Sequence, residues 1–261
     1  MIFKDEAYVL DDWLTFHKGI GASHFYLYNN NSTDNYRMVL QPWIDRGLVT
    51  LIGWPDRPGQ RSAYWHCIKN RAREARWIAF LDADEYLFSP RQVDILPILR
   101  SLLEQLPAIY VYSLHFGSAG HARRPGIPVL EAYTRREPFG STDSGKSVVN
   151  PRFVRAVANA HCFKLWRGAT CGTNHVAVDS PSPLMLNAGR QVYDLLRVHH
   201  YWSRSLEELA EKVRRGEAFY GHGRDLNEHL TRERSMNAEE DSSILPIWHE
   251  IRRRSMSRVA G

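Results

Sequence analysis

The sequence predicts an α/β fold: a Rossmann-like, mostly parallel sheet flanked by helices, followed by an elaborated C-terminal half. Three observations carry this expectation. Strand-like and helix-like stretches alternate through the first half, as the crossover connections of a parallel sheet require. The run Trp77-Ile78-Ala79-Phe80-Leu81 is a short, continuous apolar stretch typical of a strand covered on both faces. A chain of 261 residues with 43% hydrophobic and 24% charged residues can bury a multilayered core, which excludes collagen-like, coiled-coil and wholly disordered chains.

The elements follow in order. Tyr8, Leu10, Trp13, Leu14 and Phe16 recur at near-helical spacing, and Gly19 and Gly21 stop that helix before the strand His24–Tyr28. The polar loop Asn29–Asp34 leads to a helix over about 35–46, a strand near Leu48–Ile52 and the Pro/Gly-containing loop Trp54–Gly59. A helix over 60–75 delivers the chain to the Trp77–Leu81 strand. After Ser89-Pro90 a helix is expected near 92–106, then a strand at Ile109–Leu114. Residues 117–126 read as loop, 129–165 as short strand-like pieces, and 166–190, with Pro181 and Pro183, as irregular. Ser205 followed by Glu208 is a capping box that opens an amphipathic helix ending at Arg215-Gly216. With no internal repeat and no long linker, residues 1–261 are expected to form a single domain, divided functionally into 1–116 and 117–261.

The net charge of +5 is too mild to imply a nucleic-acid partner without a concentrated patch. No apolar run is long enough to span a bilayer, and Met1-Ile2-Phe3-Lys4-Asp5-Glu6 becomes acidic too early for a signal peptide. Cys67, Cys162 and Cys171 lack a disulfide-framework pattern, so a reducing, cytoplasmic setting is expected. The basic helix 205–216 and the Arg252-Arg253-Arg254 tail add an expectation of peripheral attraction to anionic lipid or polysaccharide.

The chemistry-bearing feature is Phe80-Leu81-Asp82-Ala83-Asp84-Glu85. A buried strand cannot hide unpaired carboxylates, so the acids belong where the strand emerges, on the ligand side of an open sheet. In extended chain Asp82 and Asp84 share a face and can hold Mg2+ or Mn2+ together with substrate phosphates, whereas alternation points Glu85 away. Lys4-Asp5-Glu6 and Asn30-x-Ser32-x-Asp34 follow other strands on the same edge. Each alone reads as a helix N-terminus or a βα loop. Together the three loops suggest a nucleotide site. His161, Cys162, Cys171 and His175 supply two thiols and two imidazoles, a zinc reading weakened by the absence of a close Cys pair.

A resemblance covers nearly the whole chain in order. Lys4-Asp5-Glu6, Trp13-Leu14-x-Phe16-His17, Phe25–Asp34, Gln60 with Ala63 and Cys67, Trp77–Leu87, Gly117-Ser118-x-Gly120-His121, Lys146–Pro151 with His161, and His200-Tyr201-x-Ser203-x-Ser205 with Lys212 and Arg215-Gly216 resemble the glycosyltransferase family 92 and family 2-like group. It departs in having only Met1-Ile2-Phe3 before the Lys-x-Glu and Ala119 where a second serine is common, and no N-terminal membrane anchor is expected. The resemblance implies a GT-A fold and inverting transfer of a sugar from a nucleotide-diphosphate sugar to a carbohydrate acceptor hydroxyl, in glycan or surface polysaccharide synthesis. It further implies Mn2+ or Mg2+ at Asp82, Asp84 and His200, and donor contacts from Lys4, Glu6, Asn30, Ser32, Asp34, Gln60 and Asp82. His161 is the expected catalytic base, with Asp143, His115, His121, Asp179 and Glu131 admissible by residue type. Lys146, Arg135 and Arg136 are candidates for holding phosphate or an anionic acceptor. A nucleotidyltransferase would need a Gly-rich phosphate loop after the first strand, which is not seen; a non-catalytic carbohydrate-binding module is the other alternative, with 8 Trp and 12 Tyr available for stacking.

Overall fold

The computed structural model describes residues 1–178, 191–216 and 225–257. The chain begins with β1 (Ile2–Phe3), α1 (Ala7–Gly19), β2 (Phe25–Asn29), α2 (Tyr36–Asp45), β3 (Val49–Gly53) and α3 (Gln60–Arg71). These are the expected alternating units, and β1, β2 and β3 pair in parallel. α1 buries Leu10, Trp13, Leu14 and Phe16 on its stripe. On α3 the buried positions Gln60, Tyr64 and Cys67 fall on one face at spacings of four and three.

The chain continues through β4 (Ile78–Ala79), β5 (Glu85–Phe88), α4 (Leu96–Leu103) and β6 (Ala108–His115). Then come α5 (Val129–Ala132), β7 (Arg135–Arg136), β8 (Gly145–Val149), β9 (Val154–Val157), β10 (Phe163–Leu165), β11 (Thr170–Gly172) and β12 (Arg197–His200). α6 (Leu206–Arg215), α7 (Leu226–Ser235), β13 (Glu239–Glu240) and α8 (Leu245–Ser257) complete it. The mixed α/β architecture is the expected one. Its second sheet, in the order β4-β8-β6-β12-β5 with β11 beside β6, mixes directions: β12 and β11 run parallel to β6, while β8 is antiparallel to β6 and β5 to β12.

Two local expectations change. The Trp77–Leu81 run is not a strand covered on both faces: only Ile78–Ala79 is strand, antiparallel to β8, and Ala79 is exposed between buried Ile78 and Phe80. One face packs and the other does not, as in an antiparallel edge strand. The other change is that β12, β13, α7 and α8, which carry no strong local signal, are ordered parts of the fold.

A larger core unites α1, α2, α4, α8 and the sheets. A smaller core packs α3 against the β9–β10 hairpin, with the Tyr64 and Phe80 rings 4.7 Å apart and the Phe80 and Phe163 rings 4.6 Å apart. Gly145 is required where β8 crosses β6, since a Cβ there would lie 2.4 Å from the Val111 carbonyl oxygen. Among the described residues no helix is long and apolar enough to cross a membrane.

Candidate active site

The loops after β1, β2 and β4 open on one edge of the molecule and share a cavity of about 590 Å3. Lys4, Glu6, Asn30, Gln60, Asp82, Asp84, His161 and His200 all line it, so most of the expected site residues converge. Glu85, Lys146, Lys212 and Arg215 complete its electrostatics.

Asp82, Ala83 and Asp84 lie in a turn, closed by the Glu85 amide donating to the Asp82 carbonyl at 3.1 Å, rather than in extended chain. That turn corrects the expected orientation of Glu85. Its carboxylate faces the same centre: Oε2 accepts from the Asp82 amide at 2.9 Å and sits 3.2 Å from Lys146 Nζ, while Oε1 is 3.6 Å from His200 Nδ1. Antiparallel pairing of β12 with β5 sets His200 directly opposite Glu85, which explains why they meet.

Each carboxylate has a cationic partner from the C-terminal half. Lys146, nearly fully buried, donates to Asp82 Oδ2 at 2.6 Å; Gln60 Nε2 and the Tyr64 hydroxyl donate to Asp82 Oδ1 at 2.8 and 3.2 Å. Lys212 donates to Asp84 Oδ2 at 2.7 Å and to the Trp202 carbonyl at 2.9 Å. Arg204 and Arg215 bind the two oxygens of Glu6 at 2.8 and 3.2 Å. Burial opposes ionisation of Asp82 and Asp84, yet Lys146 beside the first and Lys212 with His200 beside the second outweigh it and hold both below the usual carboxylate range. Burial also opposes the charge on Lys146, but Asp82 and Glu85 hold its ammonium well above the ordinary lysine value. Glu85 goes the other way: burial, reinforced by Asp82 and Asp84, pushes its carboxyl up to about 8.

His161 stands at the turn of the β9–β10 hairpin. Its Nδ1 lies 2.8 Å from the Gly145 carbonyl oxygen, which can only accept, so Nδ1 carries the proton and Nε2 keeps a free lone pair. Burial and the Lys146 charge lower its pKa to about 4, and burial lowers that of His200 to about 3, so both imidazoles are neutral near pH 7.

Two expected donor contacts lie elsewhere. Ser32 and Asp34 do not line the cavity; they brace its loops. Asp5 adopts a positive φ of 54°, and its amide donates to Ser32 Oγ at 3.0 Å. Asp34 Oδ2 accepts from the Ala7 amide at 2.7 Å, satisfying a first-turn N–H of α1 that the side chain of the N-cap Glu6 leaves free. Glu6 is thereby left for its arginines.

Most alternative bases are also occupied away from the cavity. His121 contacts the Ala132 carbonyl, His115 lies 3.3 Å from Glu137, Glu131 accepts from Trp248, and Asp143 accepts from Gln191 at 2.5 Å. Asp179, like Pro181 and Pro183, lies outside the described residues. Arg136 pairs with Asp241 and Glu239, and Arg135 donates to the Asn237 carbonyl, so both tie down the C-terminal segment rather than meet a ligand. Arg204 was not singled out in sequence; it is buried with φ of 52°, and no local pattern marks its partner Glu6.

Among the described residues no three of His, Cys, Asp or Glu are arranged to hold a metal ion by themselves. This removes the zinc reading of His161, Cys162, Cys171 and His175. It leaves Asp84 and His200, 3.5 Å apart and facing the cavity, as a donor pair that suits a hard divalent cation completing its shell with substrate phosphate and water. Asp82 is less available, because both its oxygens are already bound.

Comparison with known proteins bears on this arrangement. A glycosyltransferase family 92 protein of Oryza sativa subsp. japonica is 27% identical over 61% of this chain and 28% of its own length. Galactan beta-1,4-galactosyltransferase GALS1 of Arabidopsis thaliana is 25% identical over 46% of this chain and 27% of its own. The chain thus spans under a third of these relatives. The structure of S. aureus TarS 1–349 aligns over 58% of this chain and 46% of that one at 11% identity and a TM-score of 0.40. The profile of glycosyltransferase family 92 matches residues 1–219, which include every cavity residue named above; the chain belongs to that family.

Proposed function

We propose that this chain is a metal-dependent, inverting glycosyltransferase that moves a sugar from a nucleoside diphosphate donor to a carbohydrate hydroxyl, in the synthesis of a glycan or polysaccharide. The observation that carries the proposal is one cavity in which carboxylates, neutral imidazoles and paired ammonium and guanidinium groups converge at the ends of the strands. Family membership and the galactosyltransferase relatives support sugar transfer.

Lys4, Glu6, Asn30 and Gln60 bind the nucleoside side of the donor. The acceptor oxygen attacks the anomeric carbon, the bond from that carbon to the diphosphate breaks with its electron pair leaving on the phosphate, and the acceptor proton passes to His161 Nε2. Lys212 and Arg215 set positive charge beside the departing diphosphate. Asp84 and His200, with Asp82 nearby, would hold Mn2+ or Mg2+, which would supply Lewis-acid neutralisation of the same charge. The donor's negative charge also raises the basicity of His161, which burial and, after it, the Lys146 charge depress in the free protein.

Calorimetric titration with UDP, with and without Mn2+, and hydrolysis of UDP-sugars test the reading. His161→Ala should lower turnover about 100- to 10,000-fold with UDP affinity retained. Asp84→Ala should abolish the Mn2+-dependent part of UDP binding. Full activity of chelated protein would sink the metal role, and failure to bind any nucleoside diphosphate would sink the transfer reading.

A further inference from the structure

The chain from residue 144 to 178 contains Lys146, Arg152, Arg155, Lys164 and Arg167 and no Asp or Glu. Lys146 is consumed by the active-site carboxylates. The others belong to the β9–β10 hairpin and its flanks, and all are exposed. Val154, Val157 and Phe163 face inward onto α3, so the opposite face, where Lys164 lies across from Ala156, is turned to solvent. Beside it Trp166 is 68% exposed, with the Arg155 guanidinium 5.9 Å from its ring centre. Among the described residues Arg152, Arg155, Lys164 and Arg167 form no ion pair.

This face is continuous with the active site, because the hairpin's turn is the segment that places Ala160 and His161 in the cavity wall. The strand rise of about 3.3 Å per residue puts Trp166 roughly 16 Å from His161 along the hairpin. A flat aromatic platform among unpaired cations suits a ligand with apolar sugar faces and regularly spaced negative charges.

We propose that the outer face of this hairpin, formed by Arg155, Lys164, Trp166 and Arg167, is a docking track for an anionic polysaccharide, whose end it directs toward His161 as acceptor. The proposal deepens the glycosyltransferase reading and rests on it for the acceptor role. A lipid headgroup surface is less well matched, since one tryptophan on a narrow hairpin offers little apolar area for insertion. A nucleic acid is less well matched because the track leads to the cavity assigned to sugar transfer.

The test is calorimetric titration of the full chain with polygalacturonate oligosaccharides, with β-1,4-galactan oligosaccharides as the neutral comparison. Trp166→Ala and the combined Arg155→Gln, Lys164→Gln and Arg167→Gln variant alter only exposed side chains, and circular dichroism checks their folding. Expected results are an affinity for polygalacturonate that falls with salt, weakens at least about tenfold in each variant, and exceeds that for galactan, with UDP binding in Mn2+ unchanged throughout. Unaltered polygalacturonate binding in both variants, or equal affinity for neutral galactan, overturns the proposal. So does hairpin-dependent binding of phosphatidylglycerol vesicles or of a single-stranded oligonucleotide without binding of polygalacturonate. If UDP binds and polygalacturonate does not, the track falls alone. If polygalacturonate binds through the hairpin while UDP does not, the transfer reading falls and the binding surface stands.

Discussion

The two halves of the chain contribute opposite charges to one site. Residues 1–116 supply Glu6, Asp82, Asp84 and Glu85; the remainder supplies Lys146, Arg204, Lys212 and Arg215, joined across 64 positions for Asp82–Lys146, 128 for Asp84–Lys212 and 198 for Glu6–Arg204. The first half is built from local patterns: helical stripes and parallel strands. The second half has shorter strands; it is joined to the first by the pairing of β8, β11 and β12 with β6 and by the shared core, and these polar contacts fix it around the site. The difference teaches that the scaffold and the site obey separate rules. Apolar periodicity builds the sheet that presents the acids, and the cost of burying those acids alone then fixes where the second half must return.

The sharpest way to break this arrangement is to remove the most buried cation. Lys146→Ala leaves Asp82 and Glu85 without their shared ammonium, and removing one partner of a buried pair costs about 3–5 kcal/mol. Chemical denaturation should show that loss, and adding Asp82→Asn should recover much of it, because the stranded charge is then gone. A Lys146→Ala protein as stable as the parent would refute the idea that Lys146 compensates the buried acids.

One buried group from each half titrates in its own pH window. In the first half, His17 on α1 is buried: Nδ1 donates to the Trp13 carbonyl at 2.8 Å, Nε2 accepts from the Leu87 amide at 3.3 Å, and burial lowers its pKa to about 3. Between that value and the unfolded value near 6.5 the unfolded chain binds the extra proton, so this contribution is complete above about 6.5 and is lost as pH falls toward 3. In the second half, burial opposes the charge on Asp241, but His199, Ser243 and Arg136 outweigh it and bring its carboxyl to about 2. Its contribution is complete above about 3.8 and is lost only below that. Denaturation midpoints followed with pH should lose slope between 4 and 6.5 in His17→Gln, by up to about 1.4 kcal/mol per pH unit, and keep it in Asp241→Asn. The reverse pattern would contradict the assignment.

The same division decides what was legible in sequence. α1, β2, α2, β3 and α3 follow the predicted spans closely, because their signals are periodicity and punctuation within a few residues. The meeting of Lys4, Glu6 and Asn30 followed from the ends of parallel β1 and β2 sharing an edge, whereas Asp82 reaches them from β4, which belongs to the other sheet and not to the same one as expected. Three features escaped for physical reasons. A turn rather than extended chain at Asp82–Asp84 swung Glu85 inward. Asp34 was drawn to the free amide of Ala7 on a neighbouring element. Lys146, Arg204 and Lys212 found their partners through tertiary return of the chain, which no window of sequence encodes.

The smallest expected effect concerns the one C-terminal element whose start was legible. Ser205 Oγ accepts from the Glu208 amide at 3.2 Å while Glu208 Oε2 accepts from the Ser205 amide at 3.2 Å, closing the capping box of α6. Ser205→Ala should cost about 1 kcal/mol in global stability, well below Lys146→Ala. Its effect on the site should be out of proportion to that cost, because α6 carries Lys212 and Arg215, and a frayed first turn loosens the element that holds both beside Asp84 and Glu6. Hydrogen exchange should therefore accelerate at the α6 amides but not in α1, and UDP affinity should weaken. If α6 exchanges faster and UDP binds as tightly as before, the cations of α6 are anchored by their carboxylate partners rather than by the helix.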